Sequence, residues 1–173
     1  MFETKEFQVA KKILFDSNIF SILNINSLET RHTNMLEWLL KLNNYQGIKL
    51  LLENQNKFNI NINDIDTNKI IIHNNKPFKQ IFNNKNNSLK IPDLFIEYKY
   101  NDEDYYILIE NKINDLENEY LVNNNTILQT ELYYKEMESS YKDKTLYIFI
   151  DAKGNKASCN EFINYDYNSL YNK

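Results

Sequence analysis

Leu89–Tyr100, LKIPDLFIEYKY, and Tyr105–Ile113, YYILIENKI, are the two segments on which the fold turns. Both are rich in β-branched and aromatic residues, which suit a pleated, half-buried surface. Asn101-Asp102-Glu103-Asp104 separates them, and the whole reads as a β-hairpin. A turn symmetric about Asp102-Glu103 sets Asp93 opposite Lys112 and Phe95 opposite Glu110. Side chains alternate along a strand, so Asp93, Glu110 and Lys112 share one face. Asp93 and Glu110 become diagonal neighbours about 7–8 Å apart at Cβ, a gap that hydrated cations bridge through carboxylates. Lys112 beside them is able to hold a water or stabilise developing phosphoryl charge. Asp93 precedes Leu94-Phe95-Ile96 and Glu110 follows Ile107-Leu108-Ile109. Charged groups in such buried strands are costly unless they are paired or coordinate a metal.

Upstream of the hairpin the spacing predicts helices over 3–15, from Asn26 or Ser27 to about Leu42, and over 48–57, with Gly47 marking a break. Ile70-Ile71-Ile72 reads as a buried strand. Downstream, residues 125–142 read as an amphipathic helix and Thr145–Ile150 (TLYIFI) as a strand buried on both faces. Glu161–Tyr165 reads as a last strand before a short tail. The order predicts an α/β sandwich core with extra N-terminal helices. The link from Lys112 to Gln129 is acidic at first and ends in Asn123-Asn124-Asn125; it reads either as a mobile flap or as an insertion.

The composition narrows the chemistry. The chain has 173 residues, 42% hydrophobic and 25% charged, enough for one domain with a real core. It has two glycines, Gly47 and Gly154, which cannot form a phosphate-cradling glycine loop. Two distant histidines, His32 and His73, exclude a His-Glu-x-x-His zinc site, and a lone Cys159 excludes a cysteine-rich one. Any metal falls to carboxylates, which favours Mg²⁺, Mn²⁺ or Ca²⁺. The opening MFETKEF carries charge where a signal peptide is apolar, and no run of ~18 apolar residues follows. These features and the single cysteine predict a cytoplasmic protein without a membrane span. Net charge is −4, yet Thr67–Pro92 holds no acid and carries Lys69, Lys76, Lys79, Lys85 and Lys90. That stretch reads as a phosphate-facing strip or as a solvated loop.

Pro92-Asp93 followed by Glu110-Asn111-Lys112 resembles the PD-(D/E)xK nuclease superfamily. The Ile109–Ile113 form (IENKI) is similar to a bacterial branch that also carries a glutamate on an N-terminal helix. Gln129-Thr130-Glu131-Leu132-Tyr133 is a Gln-x-x-x-Tyr match, similar to the exonuclease-like branch. The resemblance covers about residues 27–150. It implies a restriction-endonuclease-like αβββαβ core, a mixed central sheet flanked by helices. The corresponding organisation is one nuclease-like domain over 1–173, with a helical extension at 1–27, the core at 27–150 and a strand and tail at 151–173.

The resemblance further implies that Asp93 and Glu110 bind catalytic Mg²⁺ or Mn²⁺, with the carbonyl of Asn111 as a further ligand. Lys112 would orient or activate the attacking water. Glu29 matches the helix carboxylate, as a third acidic ligand, although Asn26-x-x-Glu29 also reads as a capping box. Gln129 and Tyr133, one helical turn apart, reach the site or the nucleic-acid backbone, or else form a polar face beside a packed tyrosine. His32 touches phosphate or packs as a structural histidine, and His73 is a strand-end residue. Lys90 joins Gln129, Tyr133 and His32 as a candidate substrate-binding residue. The implied activity is metal-dependent hydrolysis of DNA phosphodiesters, with a homodimer as one arrangement that makes paired cuts. The rival readings are a catalytically quiet nuclease-like module that binds nucleic acid or protein, and cleavage of RNA.

Overall fold

The hairpin turns on Asn101 and Asp102, whose φ angles of 51° and 60° are both left-handed. Two such residues make the tight loop whose twist matches that of paired strands, and Asn and Asp tolerate this conformation best after glycine. β2 (Leu94–Tyr100) and β3 (Glu103–Lys112) therefore pair from Tyr100↔Glu103 to Leu94↔Ile109. Phe95 lies opposite Leu108, not opposite Glu110 as a turn about Asp102-Glu103 predicts. The displacement is even, so every side chain keeps the face that the alternation assigns to it.

The computed structural model describes residues 29–82, 90–113, 116–137 and 139–166. The expected helix over 3–15, the extension 1–27, the Asn26 or Ser27 cap, Lys85 and the tail beyond 166 lie outside them. α1 (Glu29–Glu53) comes first, and its helical course is interrupted at Leu42–Tyr45. Asn43, Asn44 and Tyr45 have φ of 50°, 59° and 61° there. The break thus precedes Gly47, and Gly47 does something else. A Cβ at Gly47 would lie 2.8 Å from the Leu40 Cα. Only glycine lets the two halves of α1 pass so closely. The second half ends at Glu53, short of the predicted Lys57, where the Gln55 side chain bonds the Leu52 and Phe58 backbone.

β1 (Ile71–Asn74) follows two short 3₁₀ turns and precedes the one-turn α2 (Phe78–Ile81). After β3 come β4 (Glu119–Val122), β5 (Asn125–Leu128), α3 (Gln129–Glu136), the one-turn α4 (Ser139–Lys142), β6 (Thr145–Asp151) and β7 (Phe162–Tyr165). The main sheet runs β1-β2-β3-β6-β7: β1, β2 and β3 pair antiparallel, whereas β3–β6 and β6–β7 pair parallel. This is an α/β fold with a mixed central sheet flanked by helices, of the restriction-endonuclease-like kind. No helix among the described residues is long and apolar enough to cross a membrane.

Two further expectations are corrected. The isoleucine run is not a buried strand: β1 is the edge of the sheet, and Ile71 is 52% exposed. The predicted helix over 125–142 begins only at Gln129, because Asn125–Leu128 pairs with Glu119–Val122 as a second hairpin. Asn123 and Asn124, at φ 51° and 64°, make its turn. The Lys112–Gln129 link is thus partly a β-ribbon.

The alternation along β2, β3 and β6 feeds two cores. Leu94, Ile96, Ile107, Ile109, Ile148 and Ile150 pack against Leu36, Leu40, Ile48 and Leu52 of α1. Phe95, Leu108, Tyr147 and Phe149 pack on the other face with Phe78 and with Tyr133 of α3. Each such side chain contributes about 1.5–3 kcal/mol when fully buried. Together they fix the C-terminal end of β3 between helices of both layers.

Candidate functional site

The β2–β3 ladder ends at Leu94↔Ile109, and one further step brings Asp93 across from Glu110. Asp93 Oδ2 accepts the backbone N–H of Asn111 at 2.8 Å, while its own carbonyl accepts from the Asn75 N–H at 2.9 Å. Beyond the ladder, a carboxylate has taken the place of the missing strand partner. Glu110 and Lys112 point to the same face as Asp93 and are 2% and 3% exposed. Lys112 Nζ lies 3.0 Å from Glu110 Oε1 and 3.7 Å from Glu29 Oε2. Glu29 Oε1 also accepts the Ile113 N–H at 3.4 Å. Glu29 stands on the first turn of α1, so the helix that covers one face delivers its carboxylate to the end of β3.

The electrostatics follow from burial. Desolvation pushes the Asp93 carboxyl up to about 6, against the Asn111 N–H, the Lys112 charge and the neighbouring Thr33 hydroxyl. Desolvation and then the Asp93 charge push Glu110 well above the usual carboxylate range, although Lys112 opposes this. For Lys112, burial works to lower its pKa; Glu110, Glu29 and Asp93 together outweigh it and raise it. The Asp93 charge raises Glu110 and the Glu29 charge raises both, so three carboxylates share one ammonium and the site carries surplus negative charge. Glu110 Oε2 is buried and has no hydrogen-bond partner.

This donor set is made of hard oxygens, and an orphaned buried carboxylate oxygen fits a hard divalent cation. Among the described residues, however, no group of three or more His, Cys, Asp or Glu side chains could hold a metal ion. The Lys112 ammonium contacts both Glu110 and Glu29, so Glu29 joins the pair through it.

The remaining candidates divide. The Asn111 side chain is fully buried, and its main chain touches the site through the N–H on Asp93. Gln129 and Tyr133 are 5% and 1% exposed. Gln129 Nε2 donates to the Tyr133 hydroxyl at 2.7 Å, and that hydroxyl donates to the Ile91 carbonyl at 2.7 Å, two residues before Asp93. Gln129 Oε1 accepts from the backbone and side chain of Asn118, each at 3.3 Å. His32 is half-buried on α1. His73 lies within β1 and pairs with Glu97. Lys90 Nζ sits 3.8 Å above the Tyr120 ring. The basic stretch is dispersed: Lys69 pairs with Asp66 ahead of β1, at the opposite end of that strand from Asp93.

Three contributors escape the sequence reading. Thr33 is fully buried beside Asp93, and its place four residues after Glu29 on one helix face is the signal that finds it. Tyr120 feels the charges of Glu110 and Lys112. Glu117 Oε2 accepts the Thr130 N–H and hydroxyl, both at 2.9 Å, and the Ser158 hydroxyl at 3.0 Å; its Oε1 accepts the Ser158 N–H at 2.6 Å. No local pattern marks Tyr120 or Glu117, since their partners are remote in sequence.

Comparison with curated proteins and with solved structures finds no match. A family model, that of the PD-(D/E)XK nuclease superfamily, matches residues 17–168.

Proposed function

The chain belongs to the PD-(D/E)XK nuclease superfamily, and on that footing we propose that it hydrolyses DNA phosphodiester bonds with Mg²⁺ or Mn²⁺. The observation that carries this reading is the Asp93–Glu110–Lys112 set, in which Glu110 and Lys112 are buried, Asp93 is half-buried and a Glu110 oxygen has no hydrogen-bond partner. Asp93 and Glu110 would hold the cation. The Asn111 carbonyl would join them: strand geometry directs it to the same side as the N–H that bonds Asp93. A bound divalent ion would lower the pKa of water and offset charge on the phosphoryl group. Lys112 holds the attacking water and opposes charge on the phosphoryl oxygens. Glu29 steadies Lys112 and, once the ammonium turns to substrate, is free to act as a third acidic ligand. The Gln129–Tyr133 pair and the Ile109–Ile113 segment support placement in the exonuclease-like and Glu-Asn-Lys branches. His32 and Lys90 would serve as phosphate contacts. A single domain over 1–173 working in the cytoplasm, alone or as a homodimer, completes the reading.

The test is degradation of plasmid DNA, linear DNA and an RNA of matching sequence, with Mg²⁺, with EDTA and with Lys112→Ala. Loss of DNA cleavage in EDTA and in the variant is expected; equal degradation in all three refutes the proposal. The second reading, a quiet binding module, is favoured by the ammonium that already neutralises Glu110 and by the lack of a three-carboxylate cluster among the described residues. Calorimetric titration with Mn²⁺ separates the two. A site lost in Glu110→Gln supports the enzyme, and no site supports the module.

A further inference from the structure

Glu110 and Lys112 are 2–3% exposed, so no phosphodiester reaches them until something above them moves. The β4–β5 hairpin is the element placed to move. Its base is tied down by Glu117 and by the Asn118–Gln129 contacts, while a cleft of about 410 Å³ opens between its turn end, from Val122 to Ile127, and α3. Tyr120, the second residue of β4, is half-buried and near enough to Glu110 and Lys112 to feel both of their charges. The Lys90 ammonium covers its ring at 3.8 Å, which joins the hairpin to the segment that leads into Asp93. Beyond Tyr120 the hairpin offers Leu121, 75% exposed, and Val122, 38% exposed.

An aromatic face capped by a cation is two recognition elements held against each other. When the hairpin lifts, the ring face opens at the mouth of the site and the ammonium is released next to it. A ring stacks on a nucleobase only where that base is unpaired or splayed, and an ammonium pairs with any phosphate. We propose that Tyr120 and Lys90 are the substrate-selecting residues of the site: Tyr120 stacks on an unpaired base beside the scissile phosphate, Lys90 takes the adjoining phosphate, and the preferred substrate is single-stranded or frayed nucleic acid. The proposal rests on the function given above for its substrate class, and binding without metal tests it separately.

The experiment is fluorescence anisotropy with the full chain in EDTA, using a labelled oligothymidylate and a duplex of the same length. The wild type is expected to bind the single strand about tenfold more tightly than the duplex, and Tyr120→Ala to lose about tenfold on the single strand only. Tyr120→Phe keeps the ring and stays within about threefold of wild type. Lys90→Gln flattens the salt dependence by about one phosphate contact. Tyr120→Trp in a Trp38→Phe background decides the matter even if the alanine variant does not fold, because stacking quenches its emission when oligothymidylate is added. Equal binding by wild type and Tyr120→Ala, a Phe variant as weak as the Ala variant, or no quenching overturns the proposal. Tyr120-dependent binding in a protein that cleaves nothing defeats the nuclease reading alone. Metal-dependent cleavage without Tyr120-dependent binding defeats only this one.

Discussion

The Lys112 ammonium lies 3.0 Å from a Glu110 carboxylate oxygen, and water reaches almost none of either side chain. Each charge is tolerable only because the other is present. Removing one partner of such a pair costs about 3–5 kcal/mol, whereas replacing both with apolar groups of similar volume is often neutral. Lys112→Ala is therefore expected to lose several kcal/mol in urea unfolding at about pH 8. The Glu110→Leu/Lys112→Met double variant should be more stable than either Lys112→Ala or Glu110→Ala. A double variant weaker than both singles would show that the pair is not the source of the cost.

Asp93 makes stability depend on pH in the direction opposite to most carboxylates. Burial raises its folded pKa from 3.8 to about 6, so between those values the folded chain keeps a proton that the unfolded chain releases. Its contribution is full below about pH 4 and is lost as pH rises through 6, a total of about 3 kcal/mol. Subtracting the Asp93→Asn curve from that of wild type should leave this falling step. If Asp93 also holds a divalent cation, Mg²⁺ should raise Tm more at about pH 8 than at about pH 5, because the ionised form binds it. A flat difference curve would contradict the assignment.

Gly47→Ala tests the crossing inside α1. The new Cβ would sit 2.8 Å from the Leu40 Cα and 3.0 Å from the Leu39 carbonyl oxygen, both main-chain atoms that cannot swing aside. A loss of about 1–3 kcal/mol is expected. Alanine is the better helix former, so propensity alone predicts the opposite sign. The denaturant midpoint decides between them.

Glu117→Ala should open the base of the β-ribbon. Four donors from Thr130 and Ser158 converge on that carboxylate, and its removal leaves them to find water. Faster hydrogen exchange is expected at the Thr130 and Ser158 amides, with the β2–β3 ladder unaffected. Glu117→Gln, which keeps one acceptor oxygen, should show a smaller change. Equal exchange in wild type and Glu117→Ala would remove Glu117 from this role.

Much of this architecture is legible in the residues. The alternation of LFIEYKY and YYILIENK, and the unbroken TLYIFI, identify three central strands and the face that Asp93, Glu110 and Lys112 share. The register is not legible, because Asn101-Asp102-Glu103-Asp104 offers more than one turn centre and only backbone twist chooses the Asn-Asp one. β4 and β5 hide because three consecutive asparagines look like a loop when two of them form a tight turn. Glu117 and Tyr120 stay silent because their meaning depends on Thr130, Ser158 and Lys90, which the chain delivers from far away. Ile70-Ile71-Ile72 misleads for a plainer reason: hydrophobicity does not say whether a strand lies inside a sheet or at its edge.

Asparagine, abundant throughout this chain, takes on a particular meaning at the turns. Among the described residues, every left-handed position outside glycine except Tyr45 and Asp102 is asparagine. Asn101-Asp102 and Asn123-Asn124 reverse the chain where Asn-Gly pairs would ordinarily stand. Both hairpins thus turn without glycine, because Asn and Asp tolerate the left-handed conformation best after it. Gly47 differs in kind: there the missing Cβ itself is required, and asparagine could not stand in for it.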